Sequence, residues 1–201
     1  RGKRIGVMPF ASGFGTDGPF EEALATLKAQ GATLVEITKF DASSFPVRFA
    51  CEVKGFDPLA TMDRKEAKRA DPYTQYAVAA AVEAMHDAGF ADPGTYDVNR
   101  TGVILGSGIG GLKSFEEQHD VYRERGPSKI SPFFIPMFIA DIAARIVSMR
   151  FNARGPNYAT VSACATSAHA IGDAYRAIQY GDADVMIAGG AEATVTPMAI
   201  G

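Results

Sequence analysis

Tyr158-Ala-Thr-Val-Ser-Ala-Cys164-Ala-Thr-Ser-Ala-His-Ala-Ile-Gly172 is the stretch on which the reading of this chain turns. Its first part is β-rich, its second is a run of small residues suited to a helix, and a cysteine stands where the two meet. A cysteine at the start of a helix has N–H groups and a positive dipole end beneath its sulfur. Both favour the thiolate, which is the nucleophilic form. A free cysteine is more commonly a small buried hydrophobe. Spacing alone leaves both roles open for Cys164.

The strand-then-helix pattern extends outward from this segment. Residues 4–8 read as a strand followed by a Gly-rich loop, residues 21–30 as a helix stopped by Gly31, and residues 33–37 as a second strand. Residues 39–61 are irregular and punctuated by Pro46 and Pro58. The pattern predicts a helix over 73–88 ending at Gly89, a short buried strand over 103–105, and helices over 111–123 and 140–150. A strand over 159–162 leads into the Cys164 helix, which ends near Gly181, and residues 184–190 form another buried strand. Strands alternating with helices predict an α/β layered fold with a largely parallel sheet.

Composition removes several function classes. A chain of 201 residues suits one domain or one half of a larger one. With 47% hydrophobic and 21% charged residues it can build a core as an ordinary globular protein. A net charge of −3 argues against general nucleic-acid binding. The two cysteines, Cys51 and Cys164, are far apart in sequence, so no disulfide framework is expected and a reducing, cytoplasmic compartment fits. No signal peptide and no membrane span is read, because the longest apolar stretch, residues 133–146, is broken by Pro136, Asp141 and Arg145.

Gly-x-Gly-x-x-Gly occurs twice. The first copy, Gly13, Gly15 and Gly18, lies several residues after the strand that a dinucleotide fold would run directly into it, although Glu36 sits near the ribose-binding position. The second, Gly106, Gly108 and Gly111, follows a strand directly but lacks the acidic residue at the end of a next strand. Its glycines are expected to let backbone pass close to a neighbouring element. His86 and His119 read as solvated helix positions. His169 lies five residues past Cys164, more than one turn, so it is not expected to act as the cysteine's base. No metal is expected, and no cofactor. The run from Arg64 to Arg69 is a solvated basic face that could dock an acidic protein.

From Thr38 onward the sequence resembles the β-ketoacyl-acyl carrier protein synthases, and among them the type II enzymes that elongate fatty acyl chains. The residues that carry the resemblance are Lys39-Phe-Asp-Ala-Ser-Ser-Phe-Pro-Val-Arg-Phe-Ala50, Met62-Asp-Arg-Lys-Glu-Ala-Lys-Arg-Ala-Asp-Pro72, Gly106-Ser-Gly-Ile-Gly-Gly111, Ile130-Ser-Pro-Phe-Phe-Ile-Pro136, the Cys164 turn, and Tyr180-Gly-Asp-Ala-Asp-Val-Met-Ile-Ala-Gly-Gly-Ala-Glu192. The resemblance implies a thiolase-like fold, with this chain as the N-terminal half of a layered αβαβα sandwich. It implies that Cys164 accepts an acyl group as a thioester from acyl carrier protein, for decarboxylative condensation with malonyl-carrier. It places Ile109, Phe134 and Ala163 in an acyl pocket, with Ile135 beside it near a partner subunit. It assigns carrier docking to Lys65, Lys68, Arg69 and Lys129, and implies a homodimer paired through the strand at residues 159–162.

Two departures qualify what the resemblance implies. The family's two catalytic histidines, its helping lysine and its Gly-Phe-Gly-Gly loop belong to a second half, and the sequence ends at Gly201, so this chain alone is expected not to condense. Residues 1–37 do not read like the family's opening and are instead similar to a strand–helix–strand piece of the amidase-signature hydrolases, without their Ser-Ser-Lys set. The expectation is a chimera joined near Ile37/Thr38, with residues 38–201 as the synthase N-terminal domain. The competing classes are a non-catalytic carrier-binding or scaffold chain and, on the glycine motifs, a dinucleotide-binding oxidoreductase.

Overall fold

The structure is a computed structural model that describes residues 4–6, 17–31, 33–92 and 94–201. It divides into two units, Arg1–Phe56 with Val195–Gly201, and Asp57–Thr194. The sequence boundary near residue 37 falls inside the first unit.

In the first unit, β1 (Arg4–Gly6) pairs in parallel with β2 (Thr33–Val35), and α1 (Asp17–Ala29) connects them. The helix begins four residues earlier than its expected start at residue 21. Pro19 falls in its first turn, where a missing N–H breaks no intrahelical bond. Gly31 ends the helix with φ +86°, a conformation cheap only for glycine. Residues 7–16, including Val7, Met8, Gly13 and Gly15, lie outside the described residues. The irregular segment that follows is organised by Glu52. Its carboxylate accepts from the Thr38 N–H (2.8 Å), the Thr38 Oγ1 (2.7 Å) and the Lys39 N–H (3.0 Å), and pairs with Lys54 Nζ at 3.0 Å.

The second unit holds α2 (Arg64–Lys68), α3 (Pro72–Asp87), β3 (Thr101–Gly106), α4 (Leu112–Arg125), α5 (Phe134–Phe138), α6 (Ile142–Phe151), β4 (Asn157–Tyr158), α7 (Thr166–Gln179) and β5 (Val185–Gly190); α8 (Pro197–Ile200) follows in the first unit. The sheet order is β4-β3-β5, with every pairing parallel, and all six residues of β3 are buried. Alternation along the strands sends Val103, Leu105 and Ile187 to one face, where they pack with Tyr73, Val78, Met85, Ala144 and Val147 from α3 and α6. Ile104 faces the other way, onto Ala170 and Ala174 of α7, with Met186 and Ala188 beside it. A sheet buried on both faces by helices is the α/β layering that the sequence pattern predicts.

Several boundaries differ from the sequence reading for identifiable reasons. The expected strand over 159–162 is absent; the ladder bonds lie one step earlier, at Val103↔Asn157 and Ile104↔Tyr158. Beyond Tyr158 the chain leaves β3 because Thr160 Oγ1 donates to the Thr166 carbonyl (2.9 Å), turning the segment toward the cysteine. The two short helices α2 and α5 were not legible as helices. The signal for α2 is its capping box, in which Asp63 accepts from the N–H groups of Lys65 (2.6 Å) and Glu66 (2.9 Å) while Glu66 accepts from the Asp63 N–H (3.1 Å). In α5, Pro136 sits within the first turn and so does not break it.

Candidate functional site

A cleft of about 470 Å³ opens where β3 and β5 end. It is lined by the loop after β3 (Gly106 to Ile109), the turn carrying Ala163 and Cys164, the first residues of α7, and Gly190 to Glu192 after β5. The carboxyl ends of parallel strands are where α/β sheets place their sites, because the loops there are free to vary while the strands hold them.

Cys164 is presented by a single 3-10 turn, Ala163–Ala165, that runs into α7. The turn is sharp because Ala163 adopts φ +49°, in the left-handed region that few non-glycine residues occupy. Hydrogen bonds hold it there: Ser162 N–H donates to Thr166 Oγ1 (2.8 Å) and Ala165 N–H to the Ser162 carbonyl (3.1 Å). The thiol is exposed, which excludes the buried-hydrophobe role in this chain. No side chain caps the start of α7, which leaves its partial positive charge beside the sulfur.

The second glycine motif serves close packing, against this turn at Gly106 and against α5 at Gly111. A Cβ on Gly106 would overlap Thr166 Cγ2 and stand 2.6 Å from Thr160 Oγ1, and one on Gly111 would overlap the Met137 carbonyl. His169 turns to Ser162, with Nδ1 2.6 Å from Oγ. His86 and His119 are exposed. Among the described residues no group of three or more His, Cys, Asp or Glu could hold a metal ion.

Of the residues assigned to an acyl pocket, Ile109 and Ala163 line the cleft with Cys164. Phe134 and Ile135 are not among its lining residues. Phe134 stacks on Phe138 (5.8 Å between ring centres) and lies 6.2 Å from Phe115, so α5 turns it toward α4, and Ile135 is exposed. Lys65, Lys68 and Arg69 stand exposed on and just after α2, and Lys129 is exposed in the turn that follows α4. The Arg69 guanidinium lies 4.1 Å over the Phe133 ring, which fixes its long side chain. Glu192 belongs to the site but has no role in the sequence reading. Its signal is a carboxylate two residues past the Gly-Gly end of an apolar strand.

Residues 14–201 match the family model described as the β-ketoacyl synthase N-terminal domain. The chain belongs to that family. It is 48% identical over 165 residues to 3-oxoacyl-acyl-carrier-protein synthase 2 of Staphylococcus aureus, covering 82% of this chain and 41% of that one. The synthase 2 of Synechocystis is 47% identical over 162 residues, 81% of this chain and 39% of that protein. The chain thus spans about two fifths of the length of these curated relatives. A crystal structure of a β-ketoacyl synthase from Burkholderia phymatum matches 72% of this chain and 36% of its own, with TM-score 0.63 and 31% identity. A ketosynthase solved in complex with its type II PKS acyl-carrier protein matches 74% of this chain and 42% of its own, with TM-score 0.69 at 22% identity, a likeness of fold. The architecture is the α/β thiolase-like one of the ketosynthases.

Proposed function

We propose that this chain carries the acyl-accepting site of a 3-oxoacyl-acyl carrier protein synthase, with Cys164 as nucleophile. The observation that carries the reading is the exposed thiol on a strained turn inside a cleft walled by Ile109 and Ala163. The Cys164 thiolate attacks the thioester carbonyl of an acyl-carrier protein. A new S–C bond forms, and the Cys164 N–H supplies one donor to the oxyanion. Collapse expels the carrier's thiolate, which takes up a proton, and leaves the acyl chain on Cys164. In the family reaction a malonyl-carrier then loses carbon dioxide and its carbanion attacks the acyl-cysteine. Among the described residues no histidine lines the cleft, so the condensation step is left outside the proposal for these residues.

The exposed cations Lys65, Lys68, Arg69 and Lys129 are proposed to dock the acidic carrier, with a homodimer as the working assembly. Among the described residues no helix is long and apolar enough to cross a membrane. A cytoplasmic location is proposed on the two free cysteines, which suit a reducing compartment. The β-α-β segment within residues 1–37 is proposed to supply the domain's opening strand and helix.

Intact-protein mass after incubation with a medium-chain acyl-carrier protein tests the assignment. A thioester-sized gain is expected for the folded wild type and none for Cys164→Ser. A gain that survives in Cys164→Ser would move the reaction to the other exposed thiol, Cys51, and overturn it. No gain at all, with carrier still bound, would make this a carrier-binding chain without acyl transfer.

A further inference from the structure

We propose that Glu192 is a positioning residue that fixes the acyl-facing wall of the cleft and thereby biases which chain lengths load onto Cys164. The inference rests on the acyl-transfer reading above. Glu192 Oε2 accepts from the Gly108 N–H at 2.7 Å and from the Ile109 N–H at 3.3 Å. Its Oε1 accepts from Ser107 Oγ at 3.2 Å, and that hydroxyl oxygen in turn accepts from the Gly110 N–H at 2.9 Å. Donors from residues 107–110 therefore end on one carboxylate, directly or through Ser107, which is itself 2% exposed. The approach depends on glycine: a Cβ on Gly108 would stand 2.9 Å from Oε2.

Glu192 follows β5, whereas the loop it holds follows β3, so one side chain ties together the ends of the two strands that frame the cleft. Ile109 is the residue this tie controls. Its side chain lines the cleft with Ala163 and Cys164, and it is 49% exposed, so packing alone does not pin it. The charge-assisted bonds to its own N–H and to Gly108 do. With the carboxylate removed, the loop gains freedom, Ile109 yields, and longer acyl chains are discriminated against less.

Glu192→Ala and Glu192→Gln, compared with wild type in the full 201-residue chain, test this. Two readouts are taken: initial Cys164 acylation rates from octanoyl- and tetradecanoyl-carrier, and amide exchange at residues 108–110. In Glu192→Ala the tetradecanoyl-to-octanoyl rate ratio is expected to rise about tenfold, the lower end of what a single methylene commands in an apolar pocket. Exchange at Gly108 and Ile109 should quicken by about tenfold or more as their acceptor is lost. Glu192→Gln keeps one acceptor oxygen and should shift both readouts by about a third as much on a logarithmic scale. It is read alone if the alanine variant does not fold. An unchanged rate ratio in a variant that acylates overturns the proposal, as does unchanged exchange. A wild type that never acylates, yet loses protection at 108–110 on substitution, would sink the acyl-transfer reading and the chain-length role with it, leaving only the loop contact.

Discussion

Ala163 shows how one backbone angle sets the chemistry. At φ +49° its Cβ crowds the following carbonyl, at a cost of about 1–2 kcal/mol that glycine would not incur. The surrounding bonds, Ser162 N–H to Thr166 Oγ1 at 2.8 Å above all, hold the residue there, and the sharp turn lifts Cys164 into the cleft. Ala163→Gly should therefore raise stability by about 1 kcal/mol in urea unfolding. Ala163→Val, with branching at the same carbon, should lower it by about 2 kcal/mol and suppress acylation of Cys164. The reverse order would mean that the turn is not left-handed. Position in the sequence made Cys164 legible as a candidate, because strand, cysteine and small-residue helix follow one another. Nothing in the identity of an alanine announces a positive φ. Glu192 was equally silent, since its partners in residues 107–110 lie more than eighty positions away.

Elements depend on two carboxylates with opposite electrostatics. Burial works against ionisation of Glu52, but the Thr38 hydroxyl and N–H, Lys54 and the Lys39 N–H outweigh it and bring its pKa down from 4.5 to about 2. A carboxyl with a depressed folded pKa contributes stability that is complete above the unfolded value. That contribution is lost as pH falls from about 4.5 toward about 2. Glu52→Gln should flatten the acid limb of an unfolding-midpoint-against-pH curve in that window; a limb of unchanged slope would remove Glu52 as its cause. Asp71 is the contrasting case: burial raises its pKa, against the hydrogen bonds from Ser114 and Tyr73 that favour the charge. It caps α3 through the Tyr73 N–H (3.2 Å) and reaches α4 through the Ser114 N–H (2.9 Å) and Oγ (2.8 Å). Asp71→Ala would leave buried donors without acceptors and should cost about 2–4 kcal/mol in urea unfolding. The long helices and buried strands were legible because their apolar period is strong. The short α2 and α5 were not, since five residues carry too little period and only cap chemistry marks them.

At the scale of the whole molecule, the exposed flank of α7 and the chain after β4 carry the prediction for assembly. Ala170 and Ala174 pack under the sheet, while Ile171, Tyr175 and Ile178, at i, i+4 and i+7, are 55%, 65% and 45% exposed on the neighbouring flank of the helix. Val161 is 62% exposed in the segment that the β3 ladder does not reach, and this segment adjoins α7, since Thr160, Val161 and Ser162 line one shallow cleft with Ala168, His169, Gly172, Asp173 and Arg176. An apolar helix face beside an exposed apolar loop residue is a surface that seeks cover. A second copy can supply the same surface in reverse orientation, which covers both apolar faces at once and closes the assembly at two. Sedimentation equilibrium should therefore find a dimer at micromolar concentration. Val161→Lys, which puts a charge on the loop, and Tyr175→Glu, which puts one on the helix face, should each weaken it by about a hundredfold in Kd, near 3 kcal/mol. Circular dichroism should show both variants still folded, because neither side chain belongs to the buried core. A wild type that sediments as a monomer throughout would reject the homodimer, and the α7 face would then have to be covered by a different chain.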